Sequence, residues 1–358
     1  MTHFWLRSEI RDDEFRTPLT PKGAKKLLDD GISVTVEKST GRVFSIDEYR
    51  SVGCEIAETG SWRSSDKKTI ILGLKELNNE IALSHRHIMF AHAYKEQKDS
   101  KKTLDCFKRG GGVLYDLEYL TDLSGKRVTA FGHYAGFAGA AVGLKIWLAK
   151  KDKALNSKTR FPLDTNKAEI LSILNNGLSH HILNRNDKPR VIIIGANGRV
   201  GKGARELFSS LAIQTLDWDI KETSHGGPFS EILDTDIFVN CVLASPLSKP
   251  FITKEMLTLS RKLSVISDVS CDPGSKYNTI PLYTQATSFE NPYHTIVTVG
   301  GPLYITAINN LPAMLPRESS LDFERQLLTY LTDFREDSHG VWKRAKEVFD
   351  TTIKRVLM

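Results

Sequence analysis

Cysteine is scarce in this sequence: the four present, Cys54, Cys106, Cys241 and Cys271, are far apart and form no Cys-x-x-Cys pair. That spacing argues against a zinc site and against a disulfide-stapled secreted chain, and for a reducing cytosol. No apolar run approaches membrane-spanning length, and the opening Met-Thr-His-Phe-Trp-Leu-Arg lacks the apolar core and cleavage site of a secretory leader. A soluble, cytoplasmic protein with no membrane partner is expected. Also missing is a basic tract interleaved with aromatics. The net charge of +6 comes from 49 basic residues scattered among 43 acidic ones, which speaks against nucleic acid as a partner and reads as a field that draws anionic small substrates. Neither an internal repeat nor a low-complexity tract is present, which removes solenoids and disordered chains.

What is present is ordinary globular material, 40% apolar and 26% charged over 358 residues, enough for two domains. The chain is organised around Pro189 to Ala204. Val191 to Ile194 is a β-branched run without polar alternation, the pattern of a parallel strand covered on both faces. Gly195, Gly198 and Gly201 follow at once, and a helix starts behind them. Glycine in such a turn permits positive φ, lets a pyrophosphate approach the backbone, and seats the helix close to the strand, whose N-terminal amides then hold phosphate. The spacing Gly-x-x-Gly-x-x-Gly departs from the commoner Gly-x-Gly-x-x-Gly, and a glycine-rich turn without a ligand is the alternative. A second strand, Thr215 to Ile220, carries Asp219, 18 residues beyond Gly201. An acid there accepts hydrogen bonds from the adenosine ribose and repels a 2′-phosphate, favouring NAD over NADP.

Taken in order, strands are expected at Phe4 to Arg7, Val34 to Glu37, Thr69 to Leu74, His87 to Ala91 and Val113 to Tyr115. Thr20 followed by Pro21 signals a helix start, and Ser45-Ile-Asp-Glu48 a capping box. Lys101 to Lys108 reads as a helix. Gly132 to Trp147, with small residues at one-turn spacing, predicts a long helix that approaches another backbone closely and crosses between domains. Lys150 to Lys167 is a polar linker containing Asn156 and Ser157, followed by a helix over Ala168 to Leu183. Beyond the organising loop, strands at Ile237 to Val242, Leu263 to Ser267 and Thr295 to Val299 and a helix at Lys254 to Leu259 continue the alternation. Amphipathic helices over Leu321 to Phe334 and Val341 to Val356 close the chain. The expected class is α/β, two Rossmann-like domains with parallel sheets separated by a cleft.

In the first half, Arg16 precedes a helix and suits bidentate capture of a carboxylate. Lys75 and Glu76 close one apolar strand, and His92 closes another, so neighbouring strand ends bring a lysine and a histidine to one place. Taken singly, a strand-end lysine is usually just solvated and a lone histidine usually structural. Together they point to chemistry on an amino-acid substrate.

The segments Glu14-Phe-Arg-Thr-Pro-Leu-Thr-Pro21, Ile71-Leu-Gly-Leu-Lys-Glu-Leu77, Phe90-Ala-His-Ala-Tyr-Lys-Glu-Gln97, Leu114-Tyr-Asp-Leu-Glu118, Arg127-Val-Thr-Ala-Phe-Gly132, Trp218-Asp-Ile-Lys-Glu-Thr223 and Leu311 to Glu318 resemble the NAD-dependent, lysine-forming saccharopine dehydrogenases. Alanine dehydrogenase and the transhydrogenase nucleotide-binding subunit are similar in broader pattern. The resemblance spans nearly the whole chain and implies an oxidoreductase acting on CH–NH, which converts saccharopine to lysine and 2-oxoglutarate in lysine biosynthesis. It further implies Lys75 as base toward the secondary amine and His92 as acid and base for water, with Glu76 and Glu118 tuning them. Arg16, Gln97, Arg127 and Phe131 would line the substrate site. Lys126, Gly195, Gly198, Arg199, Gly201, Asp219, Thr223, Leu243, Val269, Ile308, Asn309, Asn310 and Leu311 would meet NAD. The substrate domain would comprise residues 1–131 with 318–358, and the NAD domain 132–317.

Three of these positions depart from the family's pattern: Asn309 stands where an Asp is expected, Leu243 where a Tyr, and Lys126 where an Arg. Val200 replaces a Cys, which leaves Cys241 without that disulfide partner. Two rival readings are a related amino-acid or opine-type dehydrogenase using another amine and oxo acid, and a non-catalytic subunit that senses NAD(H).

Overall fold

The computed structural model describes residues 2–78, 81–94, 100–155, 159–161, 165–181, 187–243, 245–246 and 248–356. The chain divides into two compact units, Met1–Ala130 with Pro316–Met358, and Phe131–Leu315.

The first unit is built on six strands: β1 (His3–Leu6), β2 (Ser33–Glu37), β3 (Glu55–Ala57), β4 (Ile70–Leu72), β5 (Arg86–Met89) and β6 (Val113–Asp116). All pair in parallel, in the order β3-β2-β1-β4-β5-β6. The chain runs outward from β1 in one direction and later from β4 in the other, so the order reverses between those two strands. Ligand crevices in open α/β sheets form beyond the carboxyl ends of the strands at such a reversal. Between β1 and β2 runs α1 (Pro21–Asp29), entered as the sequence predicts, with Thr20 Oγ1 accepting the Gly23 N–H and Pro21 at the first helical position. The Ser45 capping box is also formed, opening α2 (Ile46–Ser51). α3 is Ser100–Gly110. β3 carries only three residues, none of them fully buried, and so lacks the apolar run that would have marked it in the sequence.

The second unit opens with α4 (Gly132–Lys151) and α5 (Lys167–His181). Its strands are β7 (Val191–Ile194), β8 (Thr215–Trp218), β9 (Ile237–Asn240), β10 (Val265–Asp268), β11 (His294–Ile296) and β12 (Leu303–Thr306). Their order is β11-β12-β10-β9-β7-β8, parallel except for β11, which runs antiparallel on the edge. β7 is buried throughout; Val191 and Ile193 enter one apolar core, Ile192 and Ile194 the other, as alternation across a doubly covered sheet requires.

Several expectations need correction. The last strand is β12, whereas Thr295 to Val299 yields only a short antiparallel edge at its start, Val297 and Val299 standing exposed. Lys254 to Leu259 holds a single 3-10 turn, Glu255–Thr258. The long helix α4 does approach another backbone closely, but not as a crossing between units. Its partner is α6 (Arg199–Ser210) of the same unit: a Cβ on Gly136 would collide with the Val200 carbonyl, and one on Gly203 with the His133 carbonyl. Asn156 and Ser157 of the expected linker lie outside the described residues. Among the described residues no helix is long and apolar enough to cross a membrane.

The closing helices, α7 (Pro316–Thr332) and α8 (Val341–Val356), return to the first unit. Ser320 Oγ accepts the Thr17 N–H, and Glu324 accepts both the Thr20 N–H and its hydroxyl. The loop that carries Arg16 is thereby anchored from the far end of the sequence.

Candidate functional site

At the β1/β4 reversal, β4 runs on through Gly73 and Leu74 to Lys75. The Lys75 side chain is mostly buried, its Nζ 3.8 Å from Glu14 Oε2. Glu14 is itself buried and holds Arg16 in a forked pair, Nε to Oε1 at 2.7 Å and Nη2 to Oε2 at 2.5 Å. Arg16 therefore does grip a carboxylate bidentately, but that carboxylate is Glu14's; two of its donors face protein rather than outward. Glu14 is the residue that sequence reasoning passed over, although it stands inside the quoted segment. The missed signal was an acid two residues before a buried arginine.

Burial lowers the Lys75 pKa below the ordinary lysine value, and the positive charges of Arg16 and Arg11 push the same way, against Glu14 and Glu76. A lysine so placed sheds its proton more readily than an exposed one. Burial also lowers the His92 pKa, with Lys75 adding to it and Glu76 and Glu118 opposing. His92 thus feels the charge of Lys75. His92 adopts a left-handed backbone, φ +49°, a conformation that costs of order 1–3 kcal/mol in a non-glycine residue and is characteristic of functional positions. Its Nδ1 lies 3.9 Å from Glu118 Oε2, and Glu118 is fixed by its own N–H to Asp116 Oδ1 at 2.9 Å. Glu76 pairs with Arg11. Burial alone would raise its pKa, but its own backbone N–H and Arg11 outweigh that and hold it below the usual carboxylate value. Lys75, Glu76, His92, Glu118 and Arg16 are therefore gathered at one end of one sheet. Arg127 and Lys126 stand on an exposed turn, where Thr121 pairs with Arg127. Gln97 lies outside the described residues.

In the second unit the order reverses between β7 and β9, and the glycine loop lies there. Gly195 takes φ +87°, and a Cβ on Gly201 would collide with the Gly195 carbonyl. Gly198 caps α6, whose first residue is Arg199. Asp219, just past β8, accepts the Asn197 N–H at 2.8 Å and the Ile220 N–H at 2.9 Å, so the acid is tied to the turn itself. Thr223 donates its hydroxyl to the Asp219 carbonyl. A side chain on Gly139 would meet Val269 Cγ2 at 2.5 Å and Leu311 Cδ1 at 3.1 Å, so those two residues converge on α4. Ile308 is buried, and Asn309 accepts a hydrogen bond from Cys271 Sγ at 2.9 Å. Phe131 falls in this unit, where its carbonyl accepts the Ala135 N–H at the start of α4. Leu243 is 74% exposed. All four cysteines are free.

A dinucleotide fits this loop on the structure's own terms: the turn admits no side chain at Gly201, α6 begins at its rim, and a carboxylate stands at the end of the next strand. Those are the parts that phosphate and ribose need.

Residues 5–138 match the family described as alanine dehydrogenase/PNT, N-terminal domain, and residues 190–355 the corresponding C-terminal domain. The fold is shared with a solved L-alanine dehydrogenase, TM-score 0.68 at 15% identity, with 99% of each chain covered. Within that class the sequence is 42% identical to the saccharopine dehydrogenase [NAD(+), L-lysine-forming] of Yarrowia lipolytica, over 98% of this chain and 97% of that protein. It is 41% identical to the Schizosaccharomyces pombe protein of the same name, over 99% of each. The chain belongs to the family of NAD(+)-dependent, L-lysine-forming saccharopine dehydrogenases.

Proposed function

We propose that this chain catalyses the reversible NAD-dependent oxidation of saccharopine to lysine and 2-oxoglutarate. The observation that carries the reading is the buried Lys75, its proton affinity lowered, with His92 electrostatically coupled to it at the same sheet end. Bound at the β7 loop, NAD supplies a hydride acceptor. Gly195, Gly198, Arg199 and Gly201 would hold its phosphates, Asp219 and Thr223 its adenosine ribose, and Val269 and Ile308 to Leu311 the other end, with Lys126 and Leu243 further contacts.

Lys75 in its neutral form takes the proton of the secondary amine, which makes loss of hydride from the adjoining carbon easier. One C–H bond of the glutamate-side carbon is broken and a C=N bond is formed. His92 then takes a proton from water as its oxygen adds to that carbon, returns it to nitrogen, and accepts the hydroxyl proton of the carbinolamine as the C–N bond breaks and the C=O bond forms, releasing lysine and the oxo acid. Glu118 and Glu76 steady the histidine's charge in these steps. Arg127, Gln97 and Phe131 would line the substrate, and Arg16, held in place by Glu14, would meet a substrate carboxylate. The unit containing Lys75 is accordingly the substrate domain and the other the NAD domain. A cytoplasmic setting goes with the free cysteines.

The test is NADH oxidation with lysine plus 2-oxoglutarate, alongside ornithine plus 2-oxoglutarate and alanine plus pyruvate. Turnover confined to the first pair is expected. Turnover on another pair would reassign the substrate, and NADH binding without any turnover would mark a sensor.

A further inference from the structure

The β1/β4 ladder ends with the Arg7 N–H donating to the Leu72 carbonyl at 3.0 Å. Beyond it the Gly73 N–H donates to the Ile88 carbonyl of β5 at 3.0 Å, and the amides of Leu74 and Lys75 follow. One carboxylate receives both: Glu9 Oε1 takes the Leu74 N–H at 2.7 Å and Glu9 Oε2 the Lys75 N–H at 3.0 Å. The Lys75 carbonyl in turn accepts from Arg7 Nη2, and Arg7 Nη1 reaches Glu9 Oε2 at 3.2 Å. Both side chains are nearly fully buried, at 1% and 9% exposure. The arrangement leaves no room beside it: a Cβ on Gly73 would lie 2.5 Å from the Arg7 guanidinium carbon. Arg7 is held from behind by Arg42 Nη2 on its carbonyl at 3.1 Å. Both backbone polar groups of Lys75, its N–H and its C=O, are therefore held by one buried ion pair.

We propose that Arg7 and Glu9 are positioning residues for Lys75: the pair clamps the Lys75 backbone so that its amine points at the reacting nitrogen. This rests on the role of Lys75 proposed above. Neither residue need touch substrate. A buried ion pair seldom adds net stability, whereas small displacements of a catalytic group are costly, a shift of about 1 Å reducing rate up to roughly a hundredfold.

The leading influences on the Lys75 pKa are burial, Arg16, Glu14, Arg11 and Glu76. Loosening the clamp therefore exposes Lys75 and moves its titration up toward the ordinary lysine value, because burial is the leading cause of its lowering. A direct charge effect would act the other way, since removing an acid lowers a lysine's pKa.

The experiment compares Glu9→Gln and Gly73→Ala, the second of which displaces Arg7 while keeping both charges, with the parent and with Lys75→Met. For each, the kcat for lysine plus 2-oxoglutarate with NADH, the NADH Kd and the thermal midpoint are measured, and for the chains that keep the lysine also the pH dependence of Lys75 acetylation by acetic anhydride. The expected result is a kcat lowered about ten- to a hundredfold, NADH Kd within about twofold, and a Lys75 acetylation profile moved to higher pH. Folded variants with kcat within about twofold of the parent and an unmoved profile would overturn the positioning role. A profile moved to lower pH would overturn it in favour of a direct charge effect. If Glu9→Gln does not fold, Gly73→Ala decides between the same outcomes. Lys75→Met separates the two layers: if it retains turnover, the function assigned to Lys75 fails, while the acetylation profiles still report whether the clamp holds that residue.

Discussion

The two units solve one problem with opposite materials. Each has a six-stranded sheet whose order reverses beside its first strand, and each gathers its polar residues at that reversal. In the first unit the reversal is crowded with charged side chains: Arg7, Glu9, Arg11, Glu14, Arg16, Lys75 and Glu76 brace one another there. In the second, side chains are removed: Gly195, Gly198 and Gly201 leave no Cβ in the turn where α6 begins, and Asp219 is tied to that turn. The lesson is chemical. A proton carrier needs a tuned proton affinity, which only neighbouring charges and burial supply; a phosphate needs close approach to N–H groups, which only the absence of a Cβ allows.

The largest effect that would sharpen this contrast is expected at Lys75. Lys75→Met should lower kcat for lysine plus 2-oxoglutarate by about 10²–10⁴-fold, the usual worth of a positioned acid or base, while NADH titration by fluorescence stays unchanged. Equal losses in NADH affinity would break the separation. Next comes Gly201→Val, which puts a side chain against the Gly195 carbonyl. It should weaken NADH binding by more than about tenfold and lower stability by about 1–3 kcal/mol, the cost of overpacking, read by calorimetry. Asp219→Ala should then reduce NADH affinity by roughly tenfold, the loss of about one charge-assisted hydrogen bond, with less loss for NADPH, checked by comparing the two Kd values.

Smaller shifts concern pH. The Glu14 carboxylate raises the Lys75 pKa against the lowering by burial. Glu14→Gln should accordingly move the acid limb of kcat/KM for saccharopine oxidation to lower pH, because neutral Lys75 then persists further into acid; movement to higher pH would refute the electrostatic account. The smallest expected effect lies away from the site. His87 is buried with neither ring nitrogen hydrogen-bonded among the described residues, and burial holds its pKa well below the ordinary 6.5. Since the unfolded chain takes up that proton first, stability is lost as pH falls below 6.5. His87→Leu should flatten that part of the denaturation profile, measured by urea midpoints across the range.

Much of this was legible in the sequence where local rules operate. The Thr20-Pro21 start, the Ser45 capping box and the uniform burial of β7 follow from chemistry within a few residues. Gathering Lys75, Glu76 and His92 at strand ends required only the alternation of strand and helix. Glu14 was overlooked because its meaning depends on burial together with Arg16 and on proximity to a lysine some sixty residues away in the chain. Glycine spacing in α4 foretold a close approach but not its partner, since small residues report only that something comes near.

By itself, then, the sequence determined the α/β class, the glycine turn with its acid, and which lysine and histidine end their strands, because periodicity, capping and backbone freedom are local properties. Tertiary structure alone decided that Glu9 closes the amides of Leu74 and Lys75, that Arg16 spends its fork on Glu14, and how far burial lowers the pKa of Lys75. Those depend on which charges share a water-poor space, and the strength of their interaction is set by distance and local dielectric, quantities that exist only once the chain has folded.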